Sequence, residues 1–474
     1  MADAESIVDR ETQNQRQTLE VLVYLPQLVG FQGDFQRKNH IGLEVIGMRR
    51  LFWNKKIQQA SESELKRLQL KFLKEQIHFV YKNSRFYRRK FKESGVNNLQ
   101  IKSLEDIQKL PFTTREELEN GFWDVLSVPF SDISAIRMSS GSTGLPLAIA
   151  HTQKDVDGFA EASARKLTYH GMTGKDVLQV TSAYGLWQGA WSVHWGAEKI
   201  GACVIPVGAG DTERQIRIIK QFKSTVLYGV TNYHLRLAEV AKSMGQSLRD
   251  YKLWLGICVA ERPTKQQTEI LKKELGYQKV ALDYGATEFP GFSVNCDCSD
   301  SHHVWADYYL VEVVDPQTHE LCGEGEKGEI VITSLQRKGF PLIRYLSRDI
   351  TTFMGFEECE CGMSHPKVGT DIDREDFMIK IRGVPVFPSQ IEIILERFPE
   401  LVGKCQITVD KRTPQQEASL KVETRKPLEQ NDKRSLAFQI IEEVKNRVGI
   451  SFNEVVFVPS GTFDAKYQKS VTIK

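Results

Sequence analysis

A chain of 474 residues exceeds what one hydrophobic core organises, so two or three domains are expected. Charged residues at 26% and hydrophobic residues at 41% match an ordinary globular protein, and a net charge of +2 provides no basic footprint for nucleic acid. No apolar run is long enough to cross a membrane, and Met-Ala-Asp-Ala-Glu lacks the charge and apolar core of a secretory leader, so a cytoplasmic location is expected.

Residues 1–59 are polar and basic without a clear period and read as an N-terminal extension; within them Val21–Phe31 is a short apolar segment interrupted by Pro26. Helical spacing predicts a helix over 60–96, and Thr113-Thr114-Arg115-Glu116-Glu117 reads as a capped helix start. Two apolar runs, Ala135–Met138 and Leu147–Ala150, predict a hairpin with Ser139-Ser140-Gly141-Ser142-Thr143-Gly144-Leu145-Pro146 at its tip. Glycines let backbone N–H groups approach an anion and the hydroxyls add donors, so the loop suits a polyphosphate; a surface turn is the plainer reading. No lysine lies in it, which separates it from the common nucleotide phosphate loop.

From about 131 to 290, short β-branched runs (Val177–Thr181, Cys203–Val207, Val226–Gly229, Trp254–Val259, Val280–Asp283) alternate with helical stretches. That alternation predicts a mostly parallel α/β sheet. Residues 305–355 read as short strands in a β-rich subdomain. A charged linker near Asp373–Phe377 leads into a small α+β stretch. The predicted class is α/β: a large N-terminal domain of mixed, mostly parallel sheets with packed helices, and a small mobile α+β C-terminal domain.

Four motifs stand at element ends. Asp283-Tyr284-Gly285-Ala286-Thr287-Glu288 follows a predicted strand, where ligands bind in open α/β sheets. A carboxylate there suits Mg²⁺ beside a phosphate, and a tyrosine suits a flat ring. Arg344-Tyr345-Leu346-Ser347-Arg348-Asp349 ends in a carboxylate able to accept from sugar hydroxyls, or else a turn aspartate paired with Arg344 or Arg348. Asp373–Gly383 runs from a charged cluster into alternation. Gly461–Ser470 is a polar tail carrying Lys469. Of eight cysteines, Cys296 and Cys298 form one pair and Cys359 and Cys361 another; without a secretory leader they suggest a metal rather than disulfides, with free thiols as the alternative.

In this order and at these separations the motifs resemble the adenylate-forming superfamily of acyl-CoA ligases, luciferases and peptide-synthetase adenylation domains. The chain is most similar to the phenylacetate–CoA ligase family, from about Ala60 to its C-terminus. The specific stretches are Asn83–Phe91, Trp195–Ala202, Asp211–Gln215 and Arg382–Glu392.

The resemblance implies ATP-dependent activation of a carboxylic acid to an acyl-adenylate, followed by thioesterification to coenzyme A with release of AMP and pyrophosphate. It implies that Ser139, Ser140, Gly141, Ser142, Thr143 and Gly144 close over the ATP phosphates, and that Ala260 and Glu261 lie against adenine. Tyr284, with Gly285 and Thr287, borders the nucleotide or the acyl pocket, Glu288 serves Mg²⁺, and Asp349 and Arg374 hold the ribose. Asp376 would be the hinge, Gly383 a lining of the pantetheine channel and Lys469 the catalytic lysine of adenylation. Tyr184, Trp187 and Gly189 match the segment lining an aryl site, which suits a small aromatic acid.

A structural Zn²⁺ is implied with His303, Cys359, Cys361 and either Cys296 or Cys298, Cys296 being preferred; His302 and His365 are reserves. Domains follow as 1–59 extension, 60–373 adenylation domain, 374–377 hinge and 378–474 C-terminal domain. Leu145, Leu147, Leu346 and Asp373 depart from the family pattern without removing a chemical group, and suggest a divergent member. A carrier-protein phosphopantetheine as acceptor, AMP transfer to a coenzyme and a non-catalytic binding scaffold are the alternatives. A homodimer is compatible with the reading; no nucleic acid or membrane partner is expected.

Overall fold

The computed structural model describes residues 44–45, 48–49 and 51–473, apart from 97–99, 140–145, 261, 357–358, 375–378, 387, 396, 413–415 and 464–470. Residues 44–59, read as extension, belong to the same compact unit as the body. Phe52 packs on Tyr169 with ring centroids 6.3 Å apart, and Trp53 Nε1 donates to Glu161 at 3.0 Å.

The helix predicted over 60–96 is two helices, α1 (Glu62–Asn83) and α2 (Arg85–Glu93). Ser84 makes the break: its N–H donates to Val80 O, ending α1, and its hydroxyl accepts from Tyr87 N–H, opening α2. Helix α3 (Arg115–Asn120) starts on the capping box of Thr114 and Glu117. Strands β1 (Ile133–Met138) and β2 (Ala148–Thr152) form the antiparallel hairpin that the two apolar runs imply.

The α/β region alternates as its periodicity requires: α4 (Gln153–Tyr169), β3 (Val177–Val180), α5 (Gln188–Lys199), β4 (Cys203–Ile205), α6 (Thr212–Phe222), β5 (Val226–Val230), α7 (Thr231–Ser243), β6 (Leu255–Val259), α8 (Lys265–Leu275) and β7 (Lys279–Asp283). The five strands form one parallel sheet in the order β4-β3-β5-β6-β7. Helices α4 and α5 approach closely because position 196 has no side chain; a Cβ on Gly196 would lie 2.4 Å from Ser163 Cβ.

The β-rich region is larger than 305–355. Strands β8 (Ser293–Asn295) and β9 (Ser301–Val304) pair antiparallel, and β10 (Tyr309–Val314), β11 (Lys327–Ser334) and β12 (Tyr345–Thr352) form a meander. Strand β13 (Lys367–Gly369) joins β9, and β14 (Asp373–Arg374) joins β12. Arg344 does not pair with Asp349: it donates to Glu312 at 2.9 and 3.0 Å, and its guanidinium lies 3.8 Å from the Phe112 ring centroid.

A separate apolar core, including Ile381, Ile391, Ile407, Leu420 and Ile440, organises the C-terminal body. It contains the hairpin β15 (Ile379–Ile381) and β16 (Val384–Val386), helix α9 (Pro388–Leu395), strands β17 (Leu401–Asp410) and β18 (Glu417–Thr424), helix α10 (Gln430–Val448), and strands β19 (Glu454–Pro459) and β20 (Val471–Ile473). Its sheet runs β19-β18-β17-β20. Among the described residues no helix is long and apolar enough to cross a membrane.

Three buried histidines couple this fold to pH. Among the described residues, neither ring nitrogen of His151 or His170 has a hydrogen-bond partner, nor does Nε2 of His234. Burial pushes all three below the usual imidazole range, His234 down to about 3. The unfolded chain binds these protons below about pH 6.5 and the folded chain refuses them, so stability present above that pH is lost as pH falls. Each group contributes a slope of about 1.4 kcal/mol per pH unit. Urea unfolding between pH 7.5 and 5.5 is expected to show this decline, less steep by one proton in His234→Gln; an unchanged slope in that variant rejects the assignment.

Candidate functional site

At the carboxyl edge of the parallel sheet the chain changes from β-branched residues to Gly, Ser, Thr and acids. Over this edge lies a cavity of about 660 Å³, lined by Tyr284 and Thr287 of the large body and by Lys380 and Gly383 of the small one. Such an edge is where open α/β sheets bind ligands.

Ser139 lies on the cavity wall at the end of β1. Its N–H donates to Leu147 O at 3.0 Å. Ser140, Gly141, Ser142, Thr143 and Gly144 lie outside the described residues. Glu288, 5% exposed, also lines the cavity. Arg115 joins the two: Nη1 donates to Glu288 Oε1 at 2.9 Å and Nη2 to Ser139 Oγ at 2.7 Å, while Nε holds Glu119 at 2.8 Å. Burial alone would push this guanidinium down, but Glu288, Tyr345 and Glu119 hold it above its ordinary value. Sequence reasoning took Arg115 only as part of a helix start, because its carboxylate partner is 173 residues away.

Tyr284 follows β7, and its hydroxyl donates to Asp349 Oδ2 at 2.9 Å. Asp349 is buried in β12, its N–H donates to Ser347 Oγ, and its backbone faces Arg374 across the ladder. Gly285 and Ala260 line the same cavity. Ala260 has φ +67°, a left-handed conformation that a residue with a Cβ rarely adopts, so the chain turns sharply after β6. Glu261, Asp376 and Lys469 lie outside the described residues.

Trp187 and Gly189 line the cavity at the start of α5. Tyr184 does not reach that wall: its hydroxyl is 2.9 Å from His194 Nδ1 and its ring meets Trp191 edge-on. Facing Gly189 is Tyr228, whose hydroxyl a Cβ at 189 would approach to 3.2 Å. Tyr228 in turn donates to Asp283 Oδ2 at 3.0 Å, and Lys166 from α4 pairs with Asp283 Oδ1. The sequence carries no local sign of Lys166, a cation within a buried helix face.

At the far side of the β-rich region, Cys296, His303, Cys359 and Cys361 bring their ligand atoms within 4.8 Å of one another. Cys296 Sγ is 3.5 Å from Cys359 Sγ, and Cys361 Sγ is 3.2 Å from His303 Nε2. Cys298 is not in this group; its N–H donates to Cys296 Sγ at 3.3 Å. His303 Nδ1 lies 3.0 Å from His365 O, which only accepts, so Nδ1 carries the proton and Nε2 faces the sulfurs. His365 is engaged elsewhere: Nδ1 accepts from Ala306 N–H and Nε2 donates to Ile57 O. The Cys296 thiol is driven well down by hydrogen bonding from Cys361, against burial, with His303 beside it. Four buried or half-buried N and S donors converging on one point fit zinc, whereas magnesium requires oxygen ligands.

The model of the AMP-binding enzyme family matches residues 77–336, and that of the AMP-binding enzyme C-terminal domain matches 383–474. A phenylacetate–coenzyme A ligase of Thermus thermophilus is 33% identical over 430 residues, covering 87% of this chain and 96% of the relative. Among solved structures, a 2-hydroxyisobutyryl-CoA ligase in complex with 2-HIB-AMP and CoA in the thioesterification state superposes with a TM-score of 0.81 at 25% identity, covering 92% of this chain and 95% of that one. The same ligase in the postadenylation state gives 0.66 at 24% identity, again covering 92% and 95%. With two family models in tandem and a curated relative aligned along almost its whole length, the chain belongs to the AMP-binding enzymes, in the family of the phenylacetate–coenzyme A ligases.

Proposed function

We propose that this chain is an ATP-dependent acid–coenzyme A ligase acting on a small aromatic carboxylic acid. One observation carries the reading: Ser139, Glu288 and Asp349, from three distant parts of the sequence, converge on a single cavity at the carboxyl edge of the parallel sheet.

An acid oxygen displaces pyrophosphate from the α-phosphorus of ATP, and the coenzyme A thiol then displaces AMP from the acyl carbon, losing its proton. Such transfers ask the protein mainly for positioning and charge. Asp349, fixed by Tyr284 and Ser347, would accept from the ribose hydroxyls, with Arg374 opposite it in the ladder. Arg115 holds a fixed cation between Ser139 and Glu288, placed to complement phosphate oxygens. Glu288 would hold Mg²⁺, which when bound neutralises phosphate charge. Trp187 and Gly189 shape a flat acid site. Residues 60–373 form the adenylation domain on this reading, 374–377 the hinge and 378–474 the body carrying Lys469 and Gly383. The greater similarity to the thioesterification state supports the view that Gly383 here occupies the thiol-side position.

ATP–pyrophosphate exchange across a panel of aromatic and aliphatic acids, followed by chromatography of coenzyme A thioesters, tests the reading. Exchange dependent on an aromatic acid and a thioester product are expected. No exchange with any acid rejects the ligase, and exchange with aliphatic acids alone rejects the aromatic substrate.

The cluster of Cys296, His303, Cys359 and Cys361 would hold one structural zinc, closed by four protein ligands. Metal analysis of the purified protein is expected to find about one zinc per chain, and Cys359→Ser is expected to lose it and lower the unfolding temperature. A folded, metal-free protein ends this assignment.

A further inference from the structure

The acid end of the cavity is not a plain apolar slot. Lys166 is 2% exposed on α4, and its ammonium pairs with Asp283, whose second oxygen accepts from Tyr228 at 3.0 Å. Asp283 and Tyr228 both line the cavity. An aspartate carboxylate accepts about four hydrogen bonds, so these two donors leave acceptor capacity on a residue that lines the cavity. Beyond the end of β3, Ser182 lines the same cavity; it is 5% exposed, and its hydroxyl has no hydrogen-bond partner among the described residues. A buried hydroxyl without a partner is unfavourable until something fills its place. Burial, reinforced by Asp283, holds the Tyr228 phenol well above its ordinary range, so Tyr228 stays a proton donor to Asp283.

On these grounds we infer that the enzyme selects an acid bearing a neutral hydrogen-bond donor, a ring hydroxyl or amino group, read by Asp283 and Ser182. This rests on the acid-activation reading above and names the substrate within it. Lys166 neutralises Asp283, so the pair recognises a neutral donor without demanding a cation. The substrate's own carboxylate only accepts hydrogen bonds and so finds no donor in Asp283, which places the donor group on the part of the acid remote from the reacting carboxylate. An unsubstituted ring leaves Ser182 unpartnered and strips water from Asp283 without replacing its bonds.

The experiment compares kcat/KM in pyrophosphate exchange and thioester formation for benzoate and phenylacetate against their ring-hydroxylated and ring-amino counterparts. The wild-type enzyme is expected to favour a donor-bearing acid by about 10- to 100-fold. Ser182→Ala is expected to narrow that ratio about 3- to 10-fold, by loss of one of two contacts. Replacing Asp283 by Leu together with Lys166 by Met removes the charge pair as a unit and is expected to bring the ratio to one or reverse it. Equal or better use of the unsubstituted acids by the wild type overturns the inference while leaving the ligase assignment standing. Absence of exchange with every acid overturns both. An unchanged ratio in both variants removes Asp283 and Ser182 from the acid site.

Discussion

The Gly383→Leu variant is expected to keep acid-dependent pyrophosphate exchange within about threefold and to lose thioester formation by about 10²-fold or more. Gly383 is the tip of the β15–β16 hairpin, at φ +79°. A Cβ there would lie 1.8 Å from Val230 Cγ1 and 3.0 Å from Val230 Cβ, at the end of β5 in the large body. No rotamer change at 383 relieves a clash that begins at Cβ; the small body must draw back. The left-handed backbone strains any non-glycine residue wherever the body sits, whereas the clash with Val230 belongs to the arrangement seen here alone. The chain superposes on the thioesterification-state structure of the hydroxyisobutyryl-CoA ligase with a TM-score of 0.81 and on its postadenylation-state structure with 0.66. Rapid-quench measurement of the two half-reactions separates the effects. Equal loss of both would make the glycine merely structural.

Lys469→Ala is expected to produce the reverse split. If the lysine supplies the cation for adenylation, its loss should slow adenylate formation by about 10²- to 10³-fold, as removing a single stabilising donor does elsewhere. Transfer from a supplied acyl-adenylate to coenzyme A should remain within about threefold. The residue itself lies outside the described residues, but strand β20 begins at Val471 and pairs in parallel with β17 through Ile407 and Val471. That pairing ties the strand that follows Lys469 in sequence to the C-terminal sheet. Equal loss in both half-reactions would reject the role.

The fold was largely legible because its elements announce themselves by period. The α6 sequence Thr212–Phe222 and the α8 sequence Lys265–Leu275 place apolar residues at helical spacing, and each lies between short β-branched strands; both helices form over the residues the pattern marks. The boundary at Ser84 was hidden because apolar spacing continues through it, while the side chain itself caps the next helix. Site residues divided differently. Glu288 and Asp349 stand in motifs at strand ends. Arg115, Lys166 and Tyr228 acquire meaning only from partners that the fold brings to them across 173, 117 and 55 residues. Tyr184 lies between β3 and α5, with its hydroxyl 2.9 Å from His194 Nδ1, a contact that local sequence does not announce. Spacing already prefers Cys296 over Cys298, and in the fold β8 and β9 pair so that His303 stands opposite Val294, two residues before Cys296.

The pair formed by Lys166 and Asp283 constrains how this enzyme changes over generations. Losing either partner alone strands a charge in a nearly dry setting, at about 3–5 kcal/mol, a large share of what holds a domain folded. Substitution of both for apolar residues of similar volume carries little such penalty. Single-step drift at either position is therefore penalised, and the charge pair is lost at little cost only through two coordinated replacements. The two positions should vary jointly among descendants.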